Sequence, residues 1–243
     1  MYRFFKKIFL RLFPGLARNA EFTIRNMVAW FYAGDNVQCN ICERNFRKFI
    51  RLESDLICPR CGSLGRHRRL WSILAEVIRP DTGESILHFS PSKIIQKKLR
   101  ATYPGYSSTD FEGKLNTDKK LDITEIEEPD GSYDLVICYH VLEHIPDDRK
   151  AMSELYRILK PGGKLLLQTP FAEGEIHEDP SITTKEERKR LFGQEDHVRV
   201  YSLEGLISRV EALSFRVEVL SFNEAPDNQY GYSTDESVLL CSR

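Results

Sequence analysis

The stretch that decides the fold runs from residue 121 to residue 170 and reads LDITEIEEPDGSYDLVICYHVLEHIPDDRKAMSELYRILKPGGKLLLQTP. Residues 133–139 (YDLVICY) form a short apolar, β-branched run, which is typical of a strand buried on both faces of a parallel sheet. Residues 147–159 have helical periodicity, and the Lys-Pro-Gly-Gly sequence at 160–163 is expected to end that helix. A second apolar strand follows at residues 164–169. The stretch therefore predicts a strand–helix–strand unit of an α/β fold.

Strands and helices alternate on both sides of this unit. Further strands are predicted at residues 86–89, 106–109, 215–222 and 237–241, with another that ends at residues 120–122, and further helices at residues 92–101 and 203–213. The alternation predicts an α/β domain at residues 84–243, built on a doubly wound, mostly parallel sheet of seven strands. Ligands of such sheets bind at the carboxyl ends of the strands, so we expect the functional site there.

Four cysteines precede this domain in two closely spaced pairs, Cys39 with Cys42 and Cys58 with Cys61. Fifteen residues separate the pairs, a spacing found in zinc sites. Four thiolates complete a closed tetrahedral shell around Zn²⁺, which predicts a small, zinc-ribbon-like structural module at residues 34–65. A redox pair and an iron centre are the alternatives.

Basic side chains surround the cysteines. They are Arg44, Arg47, Lys48, Arg51, Arg60, Arg66, Arg68 and Arg69. One interpretation is a surface for nucleic acid or phosphate. The favoured one is local electrostatics, because four thiolates on one divalent ion leave a negative charge that arginines would offset.

A connecting helix and linker are predicted at residues 66–83. In the helical part, Leu70, Leu74 and Val77 share one face. The Pro-Asp-Thr-Gly sequence at 80–83 is predicted to form a turn that ends this connection.

The first 33 residues are predicted to form two amphipathic helices. In residues 2–13, aromatic and aliphatic side chains share one face and basic side chains lie opposite. Such a helix can lie on an anionic membrane surface, which would place the protein peripherally at the inner membrane surface; packing on its own domain is the alternative. Residues 21–33 form a second apolar helix that we expect in the core.

Composition narrows the class of protein. Hydrophobic residues make up 41% of the 243 residues, enough for a packed core, and the 35 basic and 36 acidic residues nearly cancel, although the first third is basic and the rest acidic. Cys138 and Cys241 stand alone in apolar runs, so a secreted disulfide protein is not expected and a cytoplasmic location is predicted. No apolar run approaches the ~20 residues that span a bilayer. Lys6, Lys7 and Arg11 interrupt the apolar stretch near the start, which argues against a signal peptide.

The stretch 121–170 resembles the class I S-adenosylmethionine-dependent methyltransferases. It contains an acidic residue after the third strand, an acidic-Pro-x-x-x-aromatic-Asp entry into the fourth, a V-L-E-H turn and a Leu-Lys-Pro-Gly-Gly stop, in that order and at family spacing. The resemblance covers roughly residues 84–243 and implies a Rossmann-like fold and S-adenosylmethionine as the cofactor. Residues 58–71 (CPRCGSLGRHRRLW) also look like a zinc module that is fused to some bacterial methyltransferases.

The resemblance implies roles for individual residues. Asp110 matches the carboxylate that accepts both ribose hydroxyls. Asp122 and Ile123 match the polar contact and the apolar wall at the adenine, and Tyr139 and His140 match positions that line the methionine moiety. The alternatives are a loop or helix-cap acid for Asp110, a turn acid for Asp122, a core position for Ile123 and strand–helix packing for the other two.

One loop departs from the family. Where the family has a glycine-rich loop after the first strand, this chain has His88-Phe89-Ser90-Pro91-Ser92-Lys93, with no glycine. His88 and Ser90 are the cofactor-binding candidates here. Ser90 is predicted to bond the methionine end, and Ser92 to cap the next helix. Side chains occupy the space that glycine leaves empty, so weakened cofactor binding is one alternative.

A hydroxyl acceptor needs a base, and histidine suits this role near neutral pH. The candidates are His140, His144 in the V-L-E-H turn, and His197. His197 lies in residues 171–202, a segment long enough to be a binding lid, unless it contains short helices. Further candidates for substrate contact there are His177, Arg199 and Tyr201.

Three functions remain open at this point. The first is a methyltransferase that acts on a small-molecule, sugar or glycan-precursor acceptor. The second is an RNA methyltransferase that grips nucleic acid through the basic zinc module. The third is a non-catalytic binding module with a degenerate cofactor loop. The sequence predicts no oligomeric state.

Overall fold

The structure is a computed structural model that describes residues 17–52, 55–113, 115–223 and 228–243. The chain divides into two compact units, Met1–Arg79 with Asn223–Asp235, and Pro80–Phe222 with Glu236–Arg243. The N-terminal unit thus includes residues 223–235, which the sequence-based division assigned to residues 84–243. Residues 2–13, the predicted membrane-contacting helix, lie outside the described residues.

The C-terminal unit is built around one sheet. Its strands are β5 (Ile86–Phe89), β6 (Tyr106–Thr109), β7 (Tyr133–Tyr139), β8 (Leu159–Gln168), β11 (Arg216–Phe222) and β12 (Glu236–Ser242). Their order is β11-β12-β8-β7-β5-β6. Strands β5, β6, β7 and β8 are mutually parallel, whereas β12 runs antiparallel to both β8 and β11. The predicted α/β class with a mostly parallel sheet is confirmed.

The described part of the sheet has six strands, so the expected seventh, ending at residues 120–122, is wrong. Lys119 forms only an isolated bridge with Thr109. The chain then turns, because the Asp122 carboxylate accepts hydrogen bonds from the backbone N–H and the hydroxyl of Thr124, at 2.8 and 2.7 Å. An aspartate that bonds backbone two residues on favours a turn over an extended ladder.

Four helices accompany the sheet. They are α3 (Lys93–Thr102), α4 (Asp148–Ile158), α5 (Lys185–Phe192) and α6 (Leu203–Glu211). Asp147 caps α4 by accepting from Lys150 N at 3.0 Å. Helices α4 and α6 contribute fully buried side chains to the same core cluster as β7 and β8. This core fixes the strand ends that carry the functional site.

The segment between β8 and α6 is ordered by short elements. Strands β9 (His177–Glu178) and β10 (Arg199–Val200) pair with each other, and α5 lies between them. The alternative of a short helix within this segment is therefore confirmed by α5.

The described part of the N-terminal unit contains helices and four short strands. They are α1 (Ala17–Phe31), β1 (Ala33–Cys39), β2 (Arg44–Phe46), β3 (Ile50–Leu52), β4 (Asp55–Ile57), α2 (Gly65–Ser72) and a π-helical segment, Ile73–Ile78. Ile24 is buried, but Met27, Trp30 and Phe31 are 49%, 75% and 65% exposed, so the expectation that this whole helix is core is wrong. Among the described residues, no helix has the length and apolar character needed to cross a bilayer.

The widened helical segment changes which side chains face inward. Leu70 and Leu74 are buried as predicted, but Val77 is 48% exposed and Ile73 is buried instead. Arg79 N donates to Leu74 O, five residues earlier, the bond of a π-helix. The extra residue per turn moves Val77 off the face that α-helical spacing predicts.

Candidate functional site at the carboxyl edge of the sheet

The four parallel strands end side by side. Phe89 pairs with Thr109 on one side and with Cys138 on the other, and Tyr139 pairs with Gln168. The residues that follow these strands therefore lie along one edge. This is the edge at which α/β sheets of this topology bind their ligands.

Two of these strand ends turn through a left-handed residue. Ser90, directly after β5, has φ 47°, and His140, directly after β7, has φ 54°. Non-glycine residues in this region are uncommon and cluster where the surrounding structure holds them for function. The Ser90 N–H donates to Thr109 O and the His140 N–H to Gln168 O, both at 2.8 Å. Ser90 therefore takes the backbone conformation for which glycine is the usual residue.

Buried polar atoms without partners are concentrated at this edge. They are Ser92 Oγ, Thr109 Oγ1, His140 Nε2, both carboxylate oxygens of Glu143, Gln168 Oε1 and Thr169 Oγ1, none of which has a hydrogen-bond partner among the described residues. More than nine in ten buried polar groups are normally hydrogen-bonded. Such a concentration is expected where a polar ligand completes the site.

Asp110 follows β6 at this edge and is 5% exposed. Its two carboxylate oxygens accept backbone hydrogen bonds from Gly113 at 2.7 Å and from Leu115 at 2.6 Å. The carboxylate thus shapes its own loop.

Asp122 and Ile123 lie on the neighbouring loop. Asp122 is half-buried and lines a surface depression with Phe111 and Leu121. Ile123 is 4% exposed and belongs to the hydrophobic core. The depression is also lined by Lys120, Glu125 and Glu127. One aromatic ring and one aliphatic side chain surrounded by charged groups can accept a flat heteroaromatic group with polar edges.

His88 and Ser92 differ in their surroundings. His88 is buried within β5, with Nδ1 3.3 Å from the Tyr106 hydroxyl, and burial raises the pKa of that hydroxyl. Ser92 is the N-cap residue of α3, but its side chain makes no capping hydrogen bond. The predicted capping hydrogen bond is therefore wrong, and the Ser92 hydroxyl has no hydrogen-bond partner among the described residues. Tyr139 is buried at the end of β7, and Ser90 is exposed.

Two of the three candidate histidines come together although they are about fifty residues apart in sequence. The rings of His144 and His197 are 4.7 Å apart between centroids, at an interplanar angle of 84°. Val198 N donates to Glu143 O at 2.9 Å, and the Arg199 guanidinium donates to the carbonyls of Leu142, Ile145 and Pro146. These bonds attach the segment around His197, through Val198 and Arg199, to the V-L-E-H turn.

The third histidine, His140, faces the acidic member of that turn. Its Nδ1 lies 3.3 Å from Glu143 Oε1. Burial alone would disfavour the charged carboxylate, but the His140 contact holds the pKa of Glu143 below its ordinary value. For His197, burial and the nearby His144 lower the pKa, which favours the neutral ring. Glu143 was not among the predicted site residues, although the V-L-E-H motif pointed to it.

Two of the candidates for substrate contact, Arg199 and Tyr201, have partners within the protein. Both are buried, and Asp148 accepts from the Tyr201 hydroxyl at 2.6 Å and lies 3.8 Å from Arg199 Nε. Arg209 joins them, with Nη1 2.6 Å from Asp148, and it also contacts Glu178. The side chains are used in a buried charge network that pins the β9–β10 segment. His177 is exposed and packs edge-on against Phe192, with centroids 5.4 Å apart.

A second candidate site lies in the N-terminal unit, where both cysteine pairs form the same turn. Glu43 N donates to Cys39 O at 2.7 Å, and Gly62 N donates to Cys58 O at 3.0 Å. The donor in each turn is left-handed, with φ 56° and 77°. The repeated turn presents both thiols of each pair to one point.

The four thiols form one cluster of free cysteines. Sγ of Cys39 is 3.7 Å from that of Cys61, and Sγ of Cys42 is 3.7 Å from that of Cys58. In a tetrahedral site with Zn–S bonds of ~2.3 Å, neighbouring sulfurs are about 3.8 Å apart. Hydrogen bonding from Cys42 and Cys58 lowers the pKa of Cys39. The chemistry and spacing of these donors therefore fit a tetrahedral thiolate site.

Two of the surrounding arginines have structural roles. Arg68 is fully buried and donates to backbone carbonyls of Leu56, Ser63, Tyr230 and Gly231. Arg69 lies over the Tyr232 ring, 3.8 Å from its centroid. Four others, Arg44, Arg47, Lys48 and Arg51, are exposed. The basic surface available to a partner is thus smaller than the sequence suggests.

Comparison with known proteins identifies the family to which this architecture is similar. Residues 65–220, well over half of the chain, match the model of a family described as "Methyltransferase domain". A probable S-adenosylmethionine-dependent methyltransferase of Mycolicibacterium smegmatis is 42% identical over 48 residues, 20% of this chain and 19% of that protein. The ubiquinone biosynthesis O-methyltransferase of Xanthomonas oryzae pv. oryzae is 50% identical over 42 residues, 17% of this chain and 18% of that protein. The matches thus span about a fifth of these curated relatives.

Solved structures with the same fold cover more of the chain. An S-adenosylmethionine-dependent methyltransferase of Thermotoga maritima aligns with a TM-score of 0.50 and 16% identity, over 72% of this chain and 90% of that one. A phosphoethanolamine N-methyltransferase of Haemonchus contortus aligns with a TM-score of 0.51 and 16% identity, over 83% of this chain and 55% of that one. At such identities the likeness shows the fold alone.

Proposed function

Because the chain belongs to the methyltransferase domain family, we propose that it transfers the methyl group of S-adenosylmethionine to a hydroxyl of a small molecule, such as a metabolite, a sugar or a glycan precursor. One observation carries the proposal: the unpartnered polar atoms at the carboxyl edge of the parallel strands. A cofactor with an amino acid end and ribose hydroxyls would supply the missing partners.

The residues present fit this cofactor in three places. Ser90 and Ser92 would bond the amino acid end, with Tyr139 and His140 beside it; the unpartnered Ser92 hydroxyl and the left-handed Ser90 support this. Asp110, which lies at the same edge, would accept the ribose hydroxyls, because a carboxylate has two acceptor oxygens.

The depression beside Phe111 would take the adenine, with Asp122 at its polar edge. Ile123 would contribute from the core behind it. His88 would contribute through the position of β5, because its ring already contacts Tyr106.

The cofactor supplies an electrophilic methyl group on a positively charged sulfur. This chain has to hold the acceptor hydroxyl in line with that group and accept its proton. The cluster of His140, His144 and His197 lies at the correct edge. His197 donates through Nδ1 to Phe192 O at 3.0 Å, and its lowered pKa keeps it neutral. Its Nε2 lone pair can therefore accept a proton near neutral pH.

A small-molecule hydroxyl is favoured over RNA by two observations. The first is the burial of Arg68 and Arg69, which removes the centre of the predicted nucleic-acid surface. The second is the short match to ubiquinone biosynthesis O-methyltransferases, whose name specifies oxygen as the acceptor atom. RNA binding that weakens with salt and is lost on reversing the charges of Arg44, Lys48 and Arg51 would favour RNA instead.

We also propose that the cysteine cluster binds one structural Zn²⁺. The sulfur spacing and the repeated turn support this assignment. A shell of four protein ligands leaves no open position, so the ion would stabilise the N-terminal unit and take no part in methyl transfer. In a reducing cytoplasm, where we place the protein, such thiols stay available to metal.

Calorimetric titration with S-adenosylmethionine tests the proposed function. We expect binding to the wild-type protein and a loss of affinity of at least about tenfold in Asp110→Ala, because charge-assisted hydrogen bonds to the ribose contribute about 1.5–3 kcal/mol each. Glu112→Ala, which removes an exposed carboxylate from the same loop, is the matched control and should bind as the wild type does. No heat of binding at millimolar cofactor would refute the enzyme and favour a non-catalytic module.

A further inference from the structure

We propose that Glu143, His144 and His197 bind a divalent transition-metal ion at the carboxyl edge of the sheet. One ligand atom from each of these residues lies within 4.8 Å of the others. Two of the donors come from the V-L-E-H turn, and the third from the segment that Arg199 fastens to it. These residues therefore form a second metal site, separate from the four cysteines.

Glu143 provides the strongest indication. It is 1% exposed. Its Oε1 faces His140 Nδ1 at 3.3 Å without forming a hydrogen bond of good geometry, and its Oε2 has no hydrogen-bond partner among the described residues. Burying a carboxylate with so little compensation is unfavourable, and buried charges are normally paired or coordinate a metal. A cation between Glu143 and the two histidines would remove this penalty.

Both histidines are oriented as metal ligands usually are. His197 Nδ1 lies 3.0 Å from the carbonyl oxygen of Phe192. His144 Nδ1 lies 3.3 Å from the carbonyl oxygen of Asp196 and 3.4 Å from its carboxylate. A carbonyl only accepts, so Nδ1 carries the proton in each ring and Nε2 keeps the lone pair. Ligating histidines typically donate their other N–H to a carbonyl or carboxylate in this way.

The donor set selects the kind of ion. Two imidazoles and one carboxylate favour Zn²⁺ and similar transition metals over Mg²⁺ and Ca²⁺, which prefer oxygen ligands. Ligands at ~2.0–2.1 Å in a tetrahedron stand about 3.3 Å apart. His144, whose side chain is 31% exposed, is the ligand with room to close the remaining distance.

Three protein ligands leave a coordination position open, as in catalytic zinc sites. The position lies at the edge where the acceptor is expected, and an ion there lowers the pKa of an oxygen ligand. This catalytic use rests on the proposed function, whereas binding of the ion does not. In that role the ion would make the acceptor hydroxyl more acidic, and His140, the histidine of the cluster that is not a ligand, would accept its proton in place of His197.

Metal stoichiometry tests the site in the full-length protein. After the protein is stripped with a chelator, it is dialysed against buffered Zn²⁺ and the bound metal is measured by mass spectrometry. The variants are Glu143→Gln and His144→Ala, with His177→Ala as the control. The control removes an exposed histidine from outside the cluster. Circular dichroism checks folding, and His144→Ala, which removes a partly exposed side chain, is the variant least prone to unfold.

We expect Glu143→Gln and His144→Ala each to bind one equivalent of Zn²⁺ less than the wild type, and His177→Ala to bind the same amount. Equal stoichiometry in the wild type and in folded His144→Ala would overturn the proposal, and would leave Glu143 as the partner of His140 alone. Binding of S-adenosylmethionine is measured separately in the metal-free protein. If the protein does not bind S-adenosylmethionine, the zinc result can still be interpreted. If the protein does not bind the additional zinc, the result for S-adenosylmethionine can still be interpreted.

Discussion

Replacing Arg199 with methionine should destabilise the C-terminal unit by about 3–5 kcal/mol, the usual effect of removing one partner of a buried ion pair. The Arg199 side chain is 6% exposed and lies 2.8 Å from a Glu178 carboxylate oxygen. The guanidinium also donates to the carbonyl of Leu142 in the V-L-E-H turn and to those of Ile145 and Pro146, which follow it. Methionine fills much of the same volume, so the loss of these charged bonds dominates the effect over the loss of packing.

The expected loss is large relative to the total free energy of unfolding of a domain. Domains are stabilised by about 5–15 kcal/mol, so Arg199→Met would remove a third or more of a typical value. Some of the loss is offset, because Arg209 remains beside both Asp148 and Glu178. The lower end of the range is therefore expected if Arg209 moves towards the empty position.

Urea unfolding followed by circular dichroism measures this change as a shift in the free energy extrapolated to water. Arg190→Met is the matched control: the same substitution, at an exposed position of α5, should change stability by no more than about 0.5 kcal/mol. A loss below about 1 kcal/mol in Arg199→Met would refute the network as a source of stability. It would also reopen a role for Arg199 in substrate contact.

Three further predictions concern pH, zinc and the cofactor edge. Hydrogen bonds from Arg209 and Arg199 lower the pKa of Glu178 from 4.5 to about 2. The contribution of Glu178 to stability should therefore be complete above pH 4.5 and disappear as the pH falls to about 2. Glu178→Gln should lose less stability than the wild type over this pH range, and equal losses in the two proteins would contradict the prediction. A strong chelator should lower the unfolding temperature of the wild type. By metal analysis, Cys42→Ala should bind one Zn²⁺ less than the wild type, and the control Cys138→Ala should bind the same amount. Unchanged zinc in Cys42→Ala would exclude the four-thiolate site. Ser92→Ala should weaken S-adenosylmethionine binding about fivefold to tenfold, the effect of one hydrogen bond of about 1 kcal/mol, without loss of stability. The control, Ser202→Ala, removes a helix cap that accepts from Gly205 N. It should lower the free energy of unfolding in urea by about 1 kcal/mol and leave binding unchanged.

The α/β class and its parallel strands could be predicted from the sequence because the information is local. Residues 86–89 and 133–139 are strands as predicted, since a buried parallel strand needs a short apolar run between turns. Residues 106–109 (YSST) are also a strand as predicted, although they are mostly polar. The two cysteine pairs are equally local, because each pair lies within one turn. The strand predicted to end at residues 120–122 was wrong because Asp122 and Thr124 form a turn there.

Several details depended on neighbours that no local pattern reveals. Val77 left its predicted face because one π-helical turn shifted the register. Met27, Trp30 and Phe31 are as apolar as core residues, yet exposed. Apolar periodicity indicates which side chains can be buried, while burial itself depends on whether other parts of the chain cover them.

The candidate site shows the same division between sequence and tertiary structure. The sequence alone determined which edge of the sheet carries it, because alternating strands and helices imply parallel strands whose carboxyl ends share one edge. Only the tertiary structure brought His197 against His144, buried Glu143 beside His140, and turned Arg199 and Tyr201 inward. These outcomes depend on bonds between the V-L-E-H turn and a segment about fifty residues away. The role of a side chain in such a contact depends on which backbone groups meet after folding, and the spacing of residues along the chain does not reveal which groups will meet.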